Sequence, residues 1–221
     1  MPATTHPRQS ARRSVKPATW WAKAWQRAVE EAAYDQGDLI AGRRLARAGR
    51  VGGIILDAGS YVAAVEDPGG LFSVAGTVPV LDDRSLDALV EAVAATPGRI
   101  AALLAGDLPH DLVEHAEELG AELLPYGGEL GSVCTCDHWA DPCPHALAVC
   151  TQVGWLLDTD PLVLFALRGL PRDDLLGRLH TLSLTATAAD GPDADDATEL
   201  DDLDVALEAA LRAHRLLREW E

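Results

Sequence analysis

Cys134-Thr135-Cys136-Asp137-His138-Trp139-Ala140-Asp141-Pro142-Cys143-Pro144-His145 is the stretch from which the fold is read. Two cysteines one residue apart point to the same side of an extended segment, so both sulfurs can reach one ion. After six intervening residues Cys143 and His145 open an apolar run that predicts a helix over Pro144–Leu157, with Leu147, Cys150 and Val153 on its apolar side. The segment therefore reads strand, loop, helix. Three thiolates and one imidazole are a common tetrahedral set for structural Zn2+, and a six-residue loop keeps the closure entropy small. The predicted ligands are Cys134, Cys136, Cys143 and His145, holding one ion. The helix N-terminus is expected to lower a nearby thiol's pKa. His138 is the alternative to His145, and Cys150, two turns into the helix, reads as a small buried hydrophobe. Asp137 and Asp141 are expected as hydrogen-bonding neighbours. Four protein ligands leave no position for an activated water, so a catalytic zinc is not expected. A zinc hydrolase would need one ligand missing.

Upstream, Trp21, Trp25, Ala28, Val29 and Ala32 recur at helical spacing and predict a helix over Trp20–Tyr34, capped by Thr19, whose tryptophans are core. Short apolar runs separated by turn residues then predict strands at Leu45–Ala48, Val51–Leu56, Tyr61–Glu66 and Phe72–Pro79. The Asp67-Pro68-Gly69-Gly70 sequence is a strong chain reversal. Helices are expected over Asp82–Ala95, Arg99–Ala105, Pro109–Leu119, Asp160–Arg168 and Pro171–Leu182. The expected fold class is α+β: an N-terminal helix with a small antiparallel sheet, a helical middle, the finger and a helical C-terminal region. The expected divisions are a disordered basic tail over 1–18 and an α+β domain over 19–125. The finger with its following helices takes 126–185, an acidic linker 186–202 and a C-terminal helix 203–221.

The 221 residues carry a formal charge of −17. Residues 1–50 hold 10 of the 18 Lys and Arg against 4 of the 35 acids, a formal +6; the remainder sets 8 against 31, or −23. Such a chain repels phosphate along most of its surface. Direct nucleic-acid contact is therefore expected, if anywhere, through the basic beginning, where Arg43, Arg44, Arg47 and Arg50 are the candidates. A solvated tail is the alternative reading there. The acidic stretch at 189–204 reads as a linker, with imitation of a nucleic-acid strand as the alternative. No apolar run approaches the roughly 20 residues needed to span a bilayer, and the cysteines cluster rather than tie distant segments together, so the expected compartment is cytoplasmic. Phosphate-binding, dinucleotide and nucleophile-elbow motifs are absent, and His110, His115, His180 and His214 are scattered. No enzyme and no small-molecule substrate are expected.

C-x-C-x(n)-C-x-H resembles the signature of the SWIM zinc finger, and Trp139, Pro142 and Ala148 fit the frame of its bacterial members. The wider chain, over roughly 20–180, is similar to bacterial SWIM zinc finger proteins. Its Trp20-Trp21 pair, its Gly42-Arg43-Arg44 run through Val51 and the Asp160-Pro161 segment after the finger carry that likeness. Pro144 departs from the basic residue many members carry there. The resemblance implies a zinc-stabilised module that binds protein or DNA, in bacterial stand-alone members as a companion of Swi/Snf-type helicases. With the charge, it gives the leading expectation: an adaptor for a protein partner, a Swi/Snf-type helicase-like ATPase. Sequence-independent DNA binding is the alternative.

Overall fold

Trp21 and Trp25 set the packing of the molecule. Their indole N–H groups donate to the Leu157 and Cys150 carbonyls at 2.7 and 2.9 Å, which fixes the first helix against a later one. The structure, a computed structural model, describes residues 3–14 and 16–189. It is a mixture of helix and sheet. Helix α1 (Trp20–Ala32) is capped by Thr19, and α2 (Gln36–Arg47) by Asp35. Strands β2 (Val51–Asp57), β3 (Ser60–Asp67) and β4 (Gly70–Thr77) form a meander. Helices α3 (Asp83–Ala94), α4 (Pro97–Leu104) and α5 (His110–Glu118) follow, then a 3-10 turn at Gly127–Glu129 and strand β5 (Gly131–Cys134). Helices α6 (Pro144–Thr159), α7 (Leu162–Leu167) and α8 (Arg172–Ala189) complete the order.

The sheet has five strands in the order β1 (Thr4–His6), β2, β3, β4, β5, all antiparallel. Its inner face carries Ile54, Ala63 and Val74, all buried, as period-2 alternation requires. Against that face lies α6, which is apolar all round and buried from His145 to Leu157 on nearly every side. The approach of α2 to α6 is close: a Cβ on Gly42 would meet the Leu147 Cβ at 2.7 Å and the Pro144 carbonyl at 2.9 Å. Arg168, almost fully buried, donates to the Pro79 and Glu122 carbonyls at 2.6 and 2.8 Å and so ties α7 to two loops.

Four expectations change. Within the span expected as a disordered tail, the described residues are held by the fold: β1 (Thr4–His6) pairs with β2, and Arg8 donates to the Gly49 carbonyl at 2.9 Å. Arg12 lies 4.5 Å over the Trp155 ring. The edge of β2 offered unpaired backbone groups, and the N-terminal segment takes them. Leu45–Ala48 is not a strand. It ends α2, because the Asp35 cap and the buried 39, 42, 46 spacing favour helix over that stretch. Nor does a break fall between 125 and 126, since β5 pairs with β4 and α6 belongs to the common core. The chain divides instead into residues 1–179 and 180–221. Helix α8 runs on to Ala189, past the expected start of the linker at 186. The rest of that linker and the helix expected over 203–221 lie outside the described residues. Among the described residues no helix is long and apolar enough to cross a membrane.

Candidate metal centre

Strand β5 brings Cys134 to the inner face, opposite buried Val74, and the ladder extends one residue further as the Thr135 N–H donates to the Ser73 carbonyl at 3.1 Å. That extension keeps Cys134 and Cys136 on one side. The chain then loops back so that Cys143 becomes the N-cap of α6, its sulfur accepting from the Ala146 N–H at 3.5 Å, with Pro144 in the first turn. His145 follows within that turn and points its Nδ1 at the Cys134 sulfur, 3.8 Å away.

The three sulfurs and one imidazole nitrogen all lie within 4.8 Å of one another. Ligands about 2.3 Å from a tetrahedral ion stand roughly 3.7 Å apart, so this set fits one ion with small adjustments. Cys134, Cys136, Cys143 and His145 could thus hold a metal ion, as the spacing predicted. His138 is not among them: its Nε2 bonds Asp38 Oδ1 at 3.0 Å. Cys150 is buried beside the Tyr61 hydroxyl at 3.0 Å, and burial pushes its thiol up to about 11.

Two neighbours of His145 were not legible in the sequence. The Nε2–H donates to Asp67 Oδ2 at 2.8 Å, and Phe72 stacks on the imidazole at 4.5 Å. The hydrogen bond from His145, ahead of those from the Gly69 and Gly70 backbone, holds the Asp67 carboxyl below the usual carboxylate range. An ionised carboxylate only accepts, so the proton sits on Nε2 and the lone pair of Nδ1 faces the sulfurs. The one available signal was the Asp67-Pro68-Gly69-Gly70 turn, whose place beside the cysteines depends on the β4–β5 register. Of the two acids expected nearby, Asp141 accepts from Ser132, while Asp137 is exposed with no ion pair among the described residues.

The thiols differ in acidity. Burial raises Cys136, but the His138 backbone N–H, His145 and the two other cysteines outweigh it and bring the group down to about 7. Burial raises Cys134, and it pushes Cys143 up to about 12 against the pull of the Ala146 N–H. The expected lowering by the helix terminus is therefore present at Cys143 but loses to desolvation. A divalent cation bound there would supply the charge that holds all three as thiolates.

Two of the four basic candidates are engaged by acids. Arg43 pairs with Glu30, and Arg50 with Glu66 at 3.4 Å, while Arg44 and Arg47 stand exposed at the end of α2. No Lys or Arg occurs from 100 to 167, a run of 68 residues that includes the whole metal loop and eleven acids.

No protein-family model matches this chain, and no solved structure matches it. It is similar to a protein of Mycobacterium tuberculosis (strain ATCC 25618 / H37Rv) named uncharacterized protein Rv2102, 30% identical over 186 residues. The match covers 82% of this chain and 65% of that protein, so this chain spans less than two thirds of its relative's length.

Proposed function

We propose that this chain is a zinc-held, non-catalytic interaction module of the SWIM type, acting as an adaptor for a protein partner. The partner class that the finger's resemblance implies is a Swi/Snf-type helicase-like ATPase. One observation carries the reading: four protein donors, three of them cysteines, converge within 4.8 Å at a buried helix start. Such a set favours zinc over the oxygen-seeking cations and fills the tetrahedron without water, which supports a structural role over hydrolysis. Protein rather than phosphate is favoured by the 68 residues around the finger that lack a single Lys or Arg.

Direct DNA binding keeps support from exposed Arg44 and Arg47, but Arg43 and Arg50 are already engaged by acids. The test is purification of tagged full chain from its own cells after nuclease treatment, with the metal content measured alongside. The adaptor reading expects about one zinc per chain, lost in Cys134→Ser, and a stoichiometric protein that survives nuclease. Recovery of partners only through nucleic acid would overturn it in favour of DNA binding.

A further inference from the structure

Trp139 stands 71% exposed and Tyr34 67% exposed, whereas Trp21, Trp25, Trp155, Tyr61 and Phe165 are buried. The two rings meet edge to face with centroids 4.7 Å apart. Trp139 comes from the metal loop and Tyr34 from the connection between α1 and α2, so the contact joins segments distant in sequence. Its neighbours do not share its exposure: Ala140 is buried and His138 turns in to bond Asp38. The loop is pinned there, and also by Cys136 and Cys143 on either side of the ring. An exposed tryptophan held this firmly costs a partner little ordering entropy, and Trp and Tyr are the residues that dominate interface energetics.

The surroundings state what kind of partner fits. Asp137 and Asp141 flank the ring in sequence, and Asp35 follows Tyr34; all three are exposed. Asp35 caps α2 and Asp141 accepts from a serine, but no cation pairs with any of them among the described residues. Arg43 on α2 is taken up by Glu30, which Arg27 also faces. A phosphate backbone is repelled here, and a neutral apolar segment would use the rings but leave the acids unanswered. A guanidinium uses both, since it stacks flat on an aromatic face and pairs with carboxylates.

We infer that Trp139 and Tyr34, rimmed by Asp35, Asp137 and Asp141, form a docking surface for an arginine-bearing segment of a protein partner. The inference rests on the adaptor reading and supplies the chemistry of its partner. The test is fluorescence anisotropy of fluorescein-labelled octa-arginine with the zinc-loaded full chain at physiological ionic strength. Trp139→Ala is expected to weaken binding roughly tenfold and Tyr34→Ala severalfold. Octa-lysine is expected to bind more weakly than octa-arginine. Removing the same kind of charge elsewhere, with Asp173→Ala and Asp174→Ala on α8, is expected to change affinity by less than about twofold. Tyr34→Ala lies outside the metal loop and reads the surface even if Trp139→Ala disturbs that loop. Equal affinities for wild type, Trp139→Ala and Tyr34→Ala would overturn the inference and leave only diffuse attraction to an acidic chain. A protein partner retained after nuclease, with octa-arginine indifferent to both rings, would remove this surface and keep the adaptor. Ring-dependent binding of octa-arginine with no protein partner retained would keep the surface and remove the adaptor.

Discussion

Asp67→Asn is the substitution that asks most of the site's geometry. In the native chain one carboxylate oxygen accepts the Gly69 N–H at 2.6 Å and closes the β3–β4 turn, while the other accepts from His145 Nε2 at 2.8 Å. Asparagine has nearly the same shape but offers one acceptor and two donors. If its oxygen keeps the turn, its NH2 confronts Nε2–H, donor against donor. The imidazole relieves that clash only by moving its proton to Nδ1, the atom that faces Cys134. If the amide flips instead, the Gly69 N–H loses its acceptor. Neither arrangement satisfies both groups.

Loss of such a partner typically costs 10–100-fold in metal affinity, which converts to about 1.4–2.8 kcal/mol. Asp67→Ala also loses the acceptor but imposes no donor, and water can reach the 24% exposed side-chain position. Asn is therefore expected to bind zinc at least as weakly as Ala, even though it is the better mimic of the turn. The assay is competition for Zn2+ against a chromophoric chelator, with Co2+ spectra to show whether the three-sulfur, one-nitrogen set persists. An Asn variant within about threefold of wild type, or clearly tighter than Ala, would refute the assigned tautomer and with it the role given to Asp67.

Gly42→Ala would force a methyl to 2.7 Å from the Leu147 Cβ, so α2 and α6 must part at about 1–3 kcal/mol, read as a lower urea midpoint with an unchanged slope. Arg168→Met strands the Pro79 and Glu122 carbonyls and the nearby Glu129, and should cost about 3–5 kcal/mol by the same measurement. Arg168→Lys should rescue little of it, because one ammonium cannot reproduce the fork. Metal uptake should depend on pH. Cys134 and Cys143 are raised and Cys136 lies near 7, so binding at neutral pH displaces roughly two to three protons. Protons and metal compete for the same sulfurs, so affinity rises as pH increases and the ion is lost on acidification. Calorimetry in buffers of different ionisation enthalpy counts the protons, and a count near zero would refute the thiol assignments.

Periodicity carried the helices well, because Trp21, Trp25, Leu86, Leu89 and Leu147 sit where an amphipathic or buried helix needs them. The ligands were legible for a different reason: cysteine chemistry is rare and its spacing is local. What failed involved partners far away in sequence. The stretch at 1–18 is polar and looks unable to fold, yet β1 gains order from the open edge of β2, which no local pattern announces. Leu45–Ala48 read as strand because the glycine before β2 and the short apolar run mimic a hairpin; the Asp35 cap ten residues upstream decides otherwise. Asp67 became a partner of the site only through the pairing of β4 with β5.

That pairing changes the reach of the metal site. A ligand set drawn only from β5 and the start of α6 would fold a local loop, and the domain could tolerate its loss. Through His145 the set also reaches Asp67, in the turn between β3 and β4, and Phe72 lies over the same ring. An ion held there joins three segments of the sheet and its covering helix, so its removal should loosen the sheet edge as well as the loop. The loop in turn carries Trp139, whose exposed ring has no other covalent neighbour fixing it than residues between Cys136 and Cys143. Order at the metal and order at the aromatic surface are then thermodynamically linked. Chelation should weaken octa-arginine binding by about as much as Trp139→Ala does, and adding zinc back should restore it.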